Sequence, residues 1–177
     1  MTRWAMALLL AFAASASAEV PEPEGYRGAP YGAPVPASLQ GAEVIDAARA
    51  IDLHDQGAAF IDVYPRTRKP QDLPEGTIWQ EPRHDTIPGA IWLWDTGYER
   101  LSPDEEARLR NGLASASGGD RSAPLVIFCR ADCWMSWNAA KRAVAMGYDA
   151  VKWFPGGTDE WQQASDADLV AAVPVTP

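Results

Sequence analysis

Val126-Ile127-Phe128-Cys129-Arg130-Ala131-Asp132-Cys133-Trp134-Met135-Ser136-Trp137-Asn138-Ala139-Ala140 is the stretch that decides the architecture. The apolar run that enters it from Pro124 and ends at Phe128 has no polar interruption, the pattern of a strand buried on both faces. Cys129 stands at the carboxyl end of that strand, and Trp134 to Met146 reads as a helix stopped by Gly147. Strand, short loop and helix in that order put the loop where open α/β sheets place their ligands. Its backbone N–H groups can curl toward the sulfur, and the positive end of the following helix favours a thiolate and any anion it bears. Arg130 adds positive charge beside Cys129 and Asp132 opposes it, so the sign of a shift in thiol acidity is left open.

Working outward, the same alternation repeats. Val44 to His54 has Val44, Ala47, Ala48 and Ile51 at helical spacing, with Gly57 beyond as a stop. Ala58 to Val63 is a short apolar run, a strand candidate, and Ile87 to Trp94 contains another. Ser102-Pro103-Asp104-Glu105 is a capping box with Pro at the first helical position, opening a helix to about Leu113. Ala150 to Phe154 is a further strand, after which Thr158 is expected to cap a short helix through Trp161. Strands alternating with helices imply an α/β fold: a central parallel sheet with helices on both faces.

Around this core, residues 1–18 read as a secretory signal peptide, with Arg3, an apolar stretch from Ala5 to Ala14, and Ala16-Ser17-Ala18 as the cleavage site. Residues 19–40 form a Pro-rich extended arm, and Tyr26 and Tyr31 are candidates to pin it to the domain. The domain spans 41–164 with a long insert at 64–86, and 165–177 reads as a loose C-terminal tail. Export places the chain in the periplasm, where Cys129 and Cys133 are a disulfide, a maintained reactive pair or a modified thiol.

Composition narrows the function. Lys plus Arg number 15 against 24 Asp plus Glu, a net charge of −9, which argues against nucleic acid and anionic membrane as partners. No segment after the leader is long and apolar enough for a membrane span. Two Cys and two His cannot make a Cys-only zinc site, and no Cys-x-x-Cys-His occurs for covalent haem. Trp134 and Trp137 either shield the sulfur or anchor the helix in the core. Asp62 either orients an active-site group or is a turn acceptor at a strand end. Arg66, Arg68, Lys69, Arg83 and His84 make the insert basic, either a docking surface for an anionic substrate or acidic partner or a solvated loop. His54 reads as a helix-end surface residue and His84 as a loop residue, neither with a partner pointing to acid–base work.

Strand, Cys129-Arg130, a short loop, Ser136 and a helix with Ala139-Ala140 resemble the active-site loop of the rhodanese domain. Phe60-Ile61-Asp62-Val63, Ile87-Pro88-Gly89-Ala90-Ile91 and Phe154-Pro155-Gly156-Gly157 with Trp161 resemble other parts of that family, in its order. With Tyr26-Arg27, Ala33-Pro34-Val35-Pro36 and Cys133-Trp134 added, the chain resembles the exported proteins called pyrroloquinoline-quinone (PQQ)-dependent catabolism-associated CXXCW-motif proteins. The resemblance implies that Cys129 is the sulfur-accepting cysteine, able to carry a persulfide. It implies a cradle for the outer sulfur from Arg130, Ala131, Asp132, Trp134, Met135 and Ser136. On this reading Asp62 is a further candidate for the site, Cys133 is the resolving thiol, and no other bound cofactor is expected. A small sulfur-containing substrate and a periplasmic quinoprotein dehydrogenase or cytochrome are the implied partners. The chain departs from the pattern at Met135 and Tyr64, where sulfurtransferases often carry Arg, and in having three residues between its cysteines. The alternative that the resemblance leaves open is a non-catalytic accessory or docking module with a structural Cys129–Cys133 disulfide.

Overall fold

The computed structural model describes residues 19–175, so the expected signal peptide lies outside the described residues. Its centre is a five-stranded sheet in the order β1-β6-β5-β2-β4. The strands are β1 (Glu43–Val44), β2 (Ala59–Asp62), β4 (Ile91–Trp92), β5 (Leu125–Phe128) and β6 (Val151–Phe154), and every pairing is parallel. Side-chain alternation sorts each strand onto two cores. Ile61, Leu125, Ile127, Val151 and Trp153 point to one side, against α2 (Pro103–Ala116) and α3 (Trp134–Ala145). Phe60, Val126, Phe128 and Phe154 point to the other, against α1 (Ala47–Asp55) and α4 (Gly157–Ala164). The molecule is therefore the expected α/β domain with helices on both faces.

Local chemistry starts and stops these elements where the sequence signals stand, with some shifts. Asp46 caps α1 by accepting from the Arg49 amide at 2.9 Å. The cap moves the helix start past Val44, which instead pairs with Trp153 in the sheet. The buried stripe of α1 is Ala47, Ala50 and Leu53, so Ala48 and Val44 face solvent rather than the core. Ser102 and Glu105 form the expected capping box of α2, which continues to Ala116, beyond Leu113. Helix α4 is capped by Gly156, not Thr158, and runs past Trp161 to Ala164. Gly157 has φ +51, and a Cβ there would collide with the Cys129 carbonyl, so this glycine lets the last turn close onto the cysteine loop.

The tail is not loose. Val170–Ala171 forms β7, antiparallel to β3 (Asp85–Thr86). Val175 donates its amide to Trp92 O at 3.3 Å, and its carbonyl accepts from Trp94 Nε1 at 3.0 Å. This pairing covers the open edge of β4, whose backbone groups would otherwise be unpaired.

Helix α3 is buried on nearly all sides, because the sheet covers one side and the N-terminal arm the other. A helix so enclosed must find partners for its polar groups. Asn138, fully buried, accepts from the Arg27 amide at 2.8 Å and donates to Arg27 O and Gly97 O, each at 2.9 Å. Lys141 Nζ donates to the carbonyls of Pro23, Glu24 and Gly25 at 2.8, 2.7 and 3.2 Å. Trp137 Nε1 reaches Ser38 O at 3.2 Å, and the Arg142 guanidinium lies 3.8 Å over the Tyr26 ring. Burial pulls the Arg142 pKa below the usual guanidinium range, with nearby Tyr and Glu groups acting the other way. Tyr26 therefore anchors the arm, as does Tyr31, which meets Tyr98 edge-on.

Candidate functional site

Strand β5 delivers Cys129 to the carboxyl edge of the sheet, and the loop turns through Asp132 into Cys133 at the N-terminus of α3. Asp132 makes that turn with φ +52, a left-handed conformation that Asp tolerates better than most side chains. The turn brings the cysteines together: Cys129 and Cys133 form a disulfide, their Cα atoms 6.2 Å apart. Both are buried, at 1% and 6% exposure, among the residues of the α2/α3 core.

The arm closes this loop from outside. Ala33 donates its amide to Asp132 O at 3.0 Å, and Trp134 donates its amide to Tyr31 O at 2.9 Å. Gly32 between them bridges antiparallel to Cys133. Trp134 is buried under this clamp, its Nε1 donating to Pro34 O at 3.1 Å and the Arg27 guanidinium 5.6 Å from its ring. The tryptophan thus covers the loop and anchors the arm at once.

Part of the expected sulfur cradle is occupied by protein. The Ala131 amide donates to Asp159 Oδ2 at 2.8 Å, and the Ser136 amide to Cys133 O at 3.3 Å. With the Trp134 amide on Tyr31, three of the loop donors already have acceptors. The Ser136 hydroxyl is fully buried, donating to Cys133 O at 2.9 Å and accepting from Trp153 Nε1 at 3.0 Å. Met135 is buried against Gly97, where a Cβ would strike the Met135 backbone. Ser136 and Met135 therefore support the loop from inside the core. Arg130, Ala131 and Asp132 are exposed on its outer rim.

Asp62 lies on the other side of the sheet edge, because it alternates with Ile61 and falls on the Phe60 side. Its carboxylate is fully buried and has three donors: the Tyr64 amide at 2.8 Å, Thr86 Oγ1 at 2.6 Å and His84 Nε2 at 2.7 Å. Asp62 thus accepts at a turn, through the Tyr64 amide, and His84, read as a loop residue without a partner pointing to acid–base work, is oriented by this carboxylate. Its ring stacks on Tyr64 at 4.7 Å and tilts against Trp92 at 4.6 Å. A cleft of about 350 Å³ opens there, with His84, Tyr64, Arg130 and Thr158 in its walls. Residues 62 and 84 carry no shared pattern; the one clue was that a buried strand-end carboxylate needs donors. His54 is likewise not a plain surface residue, since its ring sits between Phe60 and Trp161 and its Nε2 meets Pro88 O at 2.8 Å.

The insert's basic residues are mostly paired within the chain. Arg66 grips Glu81 through two nitrogens, Arg68 reaches buried Asp95 at 2.9 Å, and Arg83 pairs with Asp85. The Glu81 hydrogen bond holds the Arg66 pKa above its usual range and is the main cause of a lowered Glu81 pKa. The Arg66–Glu81 and Arg68–Asp95 pairs line a second cleft of about 610 Å³ with Trp79, Trp94 and Arg108, and their mutual neutralisation supports the self-solvated reading. Among the described residues no cluster of His, Cys, Asp and Glu is suited to a metal ion, and no helix is long and apolar enough to cross a membrane.

Comparison with known proteins gives one family and several structural likenesses. Residues 46–164 match the family described as the rhodanese-like domain. The human single-domain sulfurtransferase TSTD1 is 23% identical, covering 71% of this chain and 99% of that one, with a TM-score of 0.42. An uncharacterized protein from Saccharomyces cerevisiae is 20% identical, covering 69% of this chain and 92% of that one, with a TM-score of 0.38. A variant of EanB in complex with hercynine is 24% identical, covering 81% of this chain and 34% of that one, with a TM-score of 0.47. No curated protein matches the sequence.

Proposed function

The chain belongs to the rhodanese-like domain family, and from that premise we propose that it carries sulfur or thiol–disulfide redox chemistry on Cys129, with Cys133 as the resolving thiol. The observation that carries this reading is the Cys129–Cys133 disulfide, built at the carboxyl end of a central parallel strand where the following helix begins. In the reduced chain, the Cys129 thiolate attacks the sulfane sulfur of a donor such as thiosulfate, forming a persulfide and releasing sulfite. The Cys133 thiolate then attacks the Cys129 sulfur, releasing hydrosulfide and leaving the disulfide. An external dithiol returns both cysteines to thiols and departs as its own disulfide.

The setting belongs to the same proposal: an exported, periplasmic protein acting in or beside PQQ-dependent alcohol catabolism, with a quinoprotein dehydrogenase or cytochrome as partner. The residues behind the narrower resemblance support it by meeting one another. Tyr26-Arg27, Ala33 and Pro34 of the arm contact Arg142, Asn138, Asp132 and Trp134 around the cysteine loop.

A second reading has its own observation. Both sulfurs are buried and several loop amides are engaged, which favours a structural staple in an accessory or docking module. Intact mass after thiol alkylation, with and without prior reduction and exposure to thiosulfate or polysulfide, separates the two. Gain of one sulfur atom mapping to Cys129 is expected from the first reading. A disulfide that resists reductant while the chain stays folded, with no sulfur uptake, leaves the second.

A further inference from the structure

We infer that the arm residues Tyr31–Ala33 position the cysteine loop, so that docking of the arm and closure of the Cys129–Cys133 disulfide are one linked equilibrium. This rests on the reading of the pair as redox-active and adds what controls it. Three consecutive arm residues meet three consecutive loop residues: Tyr31 O takes the Trp134 amide, Gly32 bridges Cys133, and the Ala33 amide binds Asp132 O. These contacts hold Asp132 in its left-handed turn and Cys133 at the start of α3, the geometry that sets the two cysteines side by side. Tyr31, Ala33 and Val35 also pack on the core that contains both cysteines. Any reductant larger than water must displace this cover, since neither cysteine is more than 6% exposed.

Linkage then works in both directions. The docked arm favours the disulfide, and reduction, which frees Cys133 from Cys129, weakens the arm's seat. The step transfers two electrons and two protons: an external dithiol becomes a disulfide, Cys129 and Cys133 become thiols, and the arm lifts from the loop. Lifting also uncovers Trp134 and the first turn of α3 to the incoming donor or partner. The arm is thereby a positioning segment of the site, although it lies outside the residues that match the family.

The test uses the whole chain from residue 19 onward. Equilibrium with dithiothreitol redox buffers gives the potential of the pair, and hydrogen exchange of residues 19–40 is followed in the oxidised and reduced states. Ala33→Pro removes the amide that binds Asp132 O, and Ala33→Ser keeps it. Lys141→Met loosens the arm at the far end, away from the cysteines, by removing bonds to Pro23, Glu24 and Gly25. Ala33→Pro and Lys141→Met are expected to make the disulfide about tenfold easier to reduce, a rise of about 30 mV in potential for a two-electron couple. Ala33→Ser is expected to match the parent. Exchange across residues 19–40 should quicken on reduction while that of β5 stays slow. Unchanged potentials in folded variants, or an arm equally protected in both states, overturn the linkage while leaving a reversible disulfide intact. A disulfide that no dithiol reduces in any folded variant removes the redox reading itself, and the linkage with it.

Discussion

The two sides of the sheet's carboxyl edge differ in what closes them. On the α2/α3 side lies the disulfide, buried, with its loop clamped by a segment about a hundred residues earlier in the chain. On the α1/α4 side the Asp62–His84 pair places His84 in the wall of an open cleft, with Asp62 buried behind it, held by the Tyr64 turn and by ring stacking. One strand edge thus carries a closed sulfur site and an open polar one. The difference teaches that the cysteine loop is closed by the arm, a segment outside the strands and helices that position it, whereas the Asp62–His84 pair is held from within the domain.

The largest expected effect belongs to the closed side. Cys129→Ser should abolish sulfur uptake and reversible redox behaviour outright, read by intact mass after alkylation. It should also lower stability by about 2 kcal/mol, the loop-closure term for so short a disulfide. A folded Cys129→Ser chain that keeps full function in its pathway would end the proposed chemistry. Next comes Asn138→Leu, which strands the Arg27 amide and two carbonyls. A loss of about 3 kcal/mol in urea unfolding, with faster proteolysis of the arm, is expected. Equal proteolysis would show that the arm is held without Asn138.

The open side should respond separately. His84→Ala takes one donor from a buried carboxylate and is expected to cost about 1–2 kcal/mol. The potential of the Cys129–Cys133 pair should stay at the parent value. A shifted potential would show that the two sides are coupled through β2 and β5, and the comparison would fail there. The smallest effect is a pH dependence on the closed side. Burial, with Asp95 adding to it, pushes the Tyr98 pKa up to about 12, and this ring meets Tyr31 of the arm. Because the folded value is raised, the neutral phenol's contribution is whole below pH 10, the ordinary value for a tyrosine, and falls away as pH rises toward about 12. Urea midpoints across that range should decline less in Tyr98→Phe than in the parent; identical slopes would remove Tyr98 as the cause.

What the sequence disclosed follows from how local each signal is. The uninterrupted run Leu125–Phe128, the capping box at Ser102–Glu105 and the stop at Gly147 are short-range patterns, and each marks an element of the structure. The stripe of α1 was misphased because Val44 and Ala48 share its spacing while Asp46 sets the true start. Strand β7 has only two residues, Val170 and Ala171, too few for any alternation to register. Cys129 and Cys133 were legible as a pair from their spacing, but their burial was not, since the cover comes from the arm. A trace of that cover was present in α3. Its apolar residues run all round, and Ser136, Asn138 and Arg142 among them demanded partners that the sheet alone cannot supply. The Asp62–His84 pair left no such trace, because the insert between them has no periodic pattern.

The central claim, that Cys129 and Cys133 are a reversible pair closed by the arm, is tested most directly by alkylating the native chain with iodoacetamide before and after mild dithiol treatment. Intact mass and near-ultraviolet circular dichroism are read on each sample. The account predicts no label on the oxidised chain, two labels after reduction with the folded signature retained, and loss of both labels' sites on reoxidation. Labels that appear only as the chain unfolds in urea would contradict it, leaving the disulfide a fixed staple.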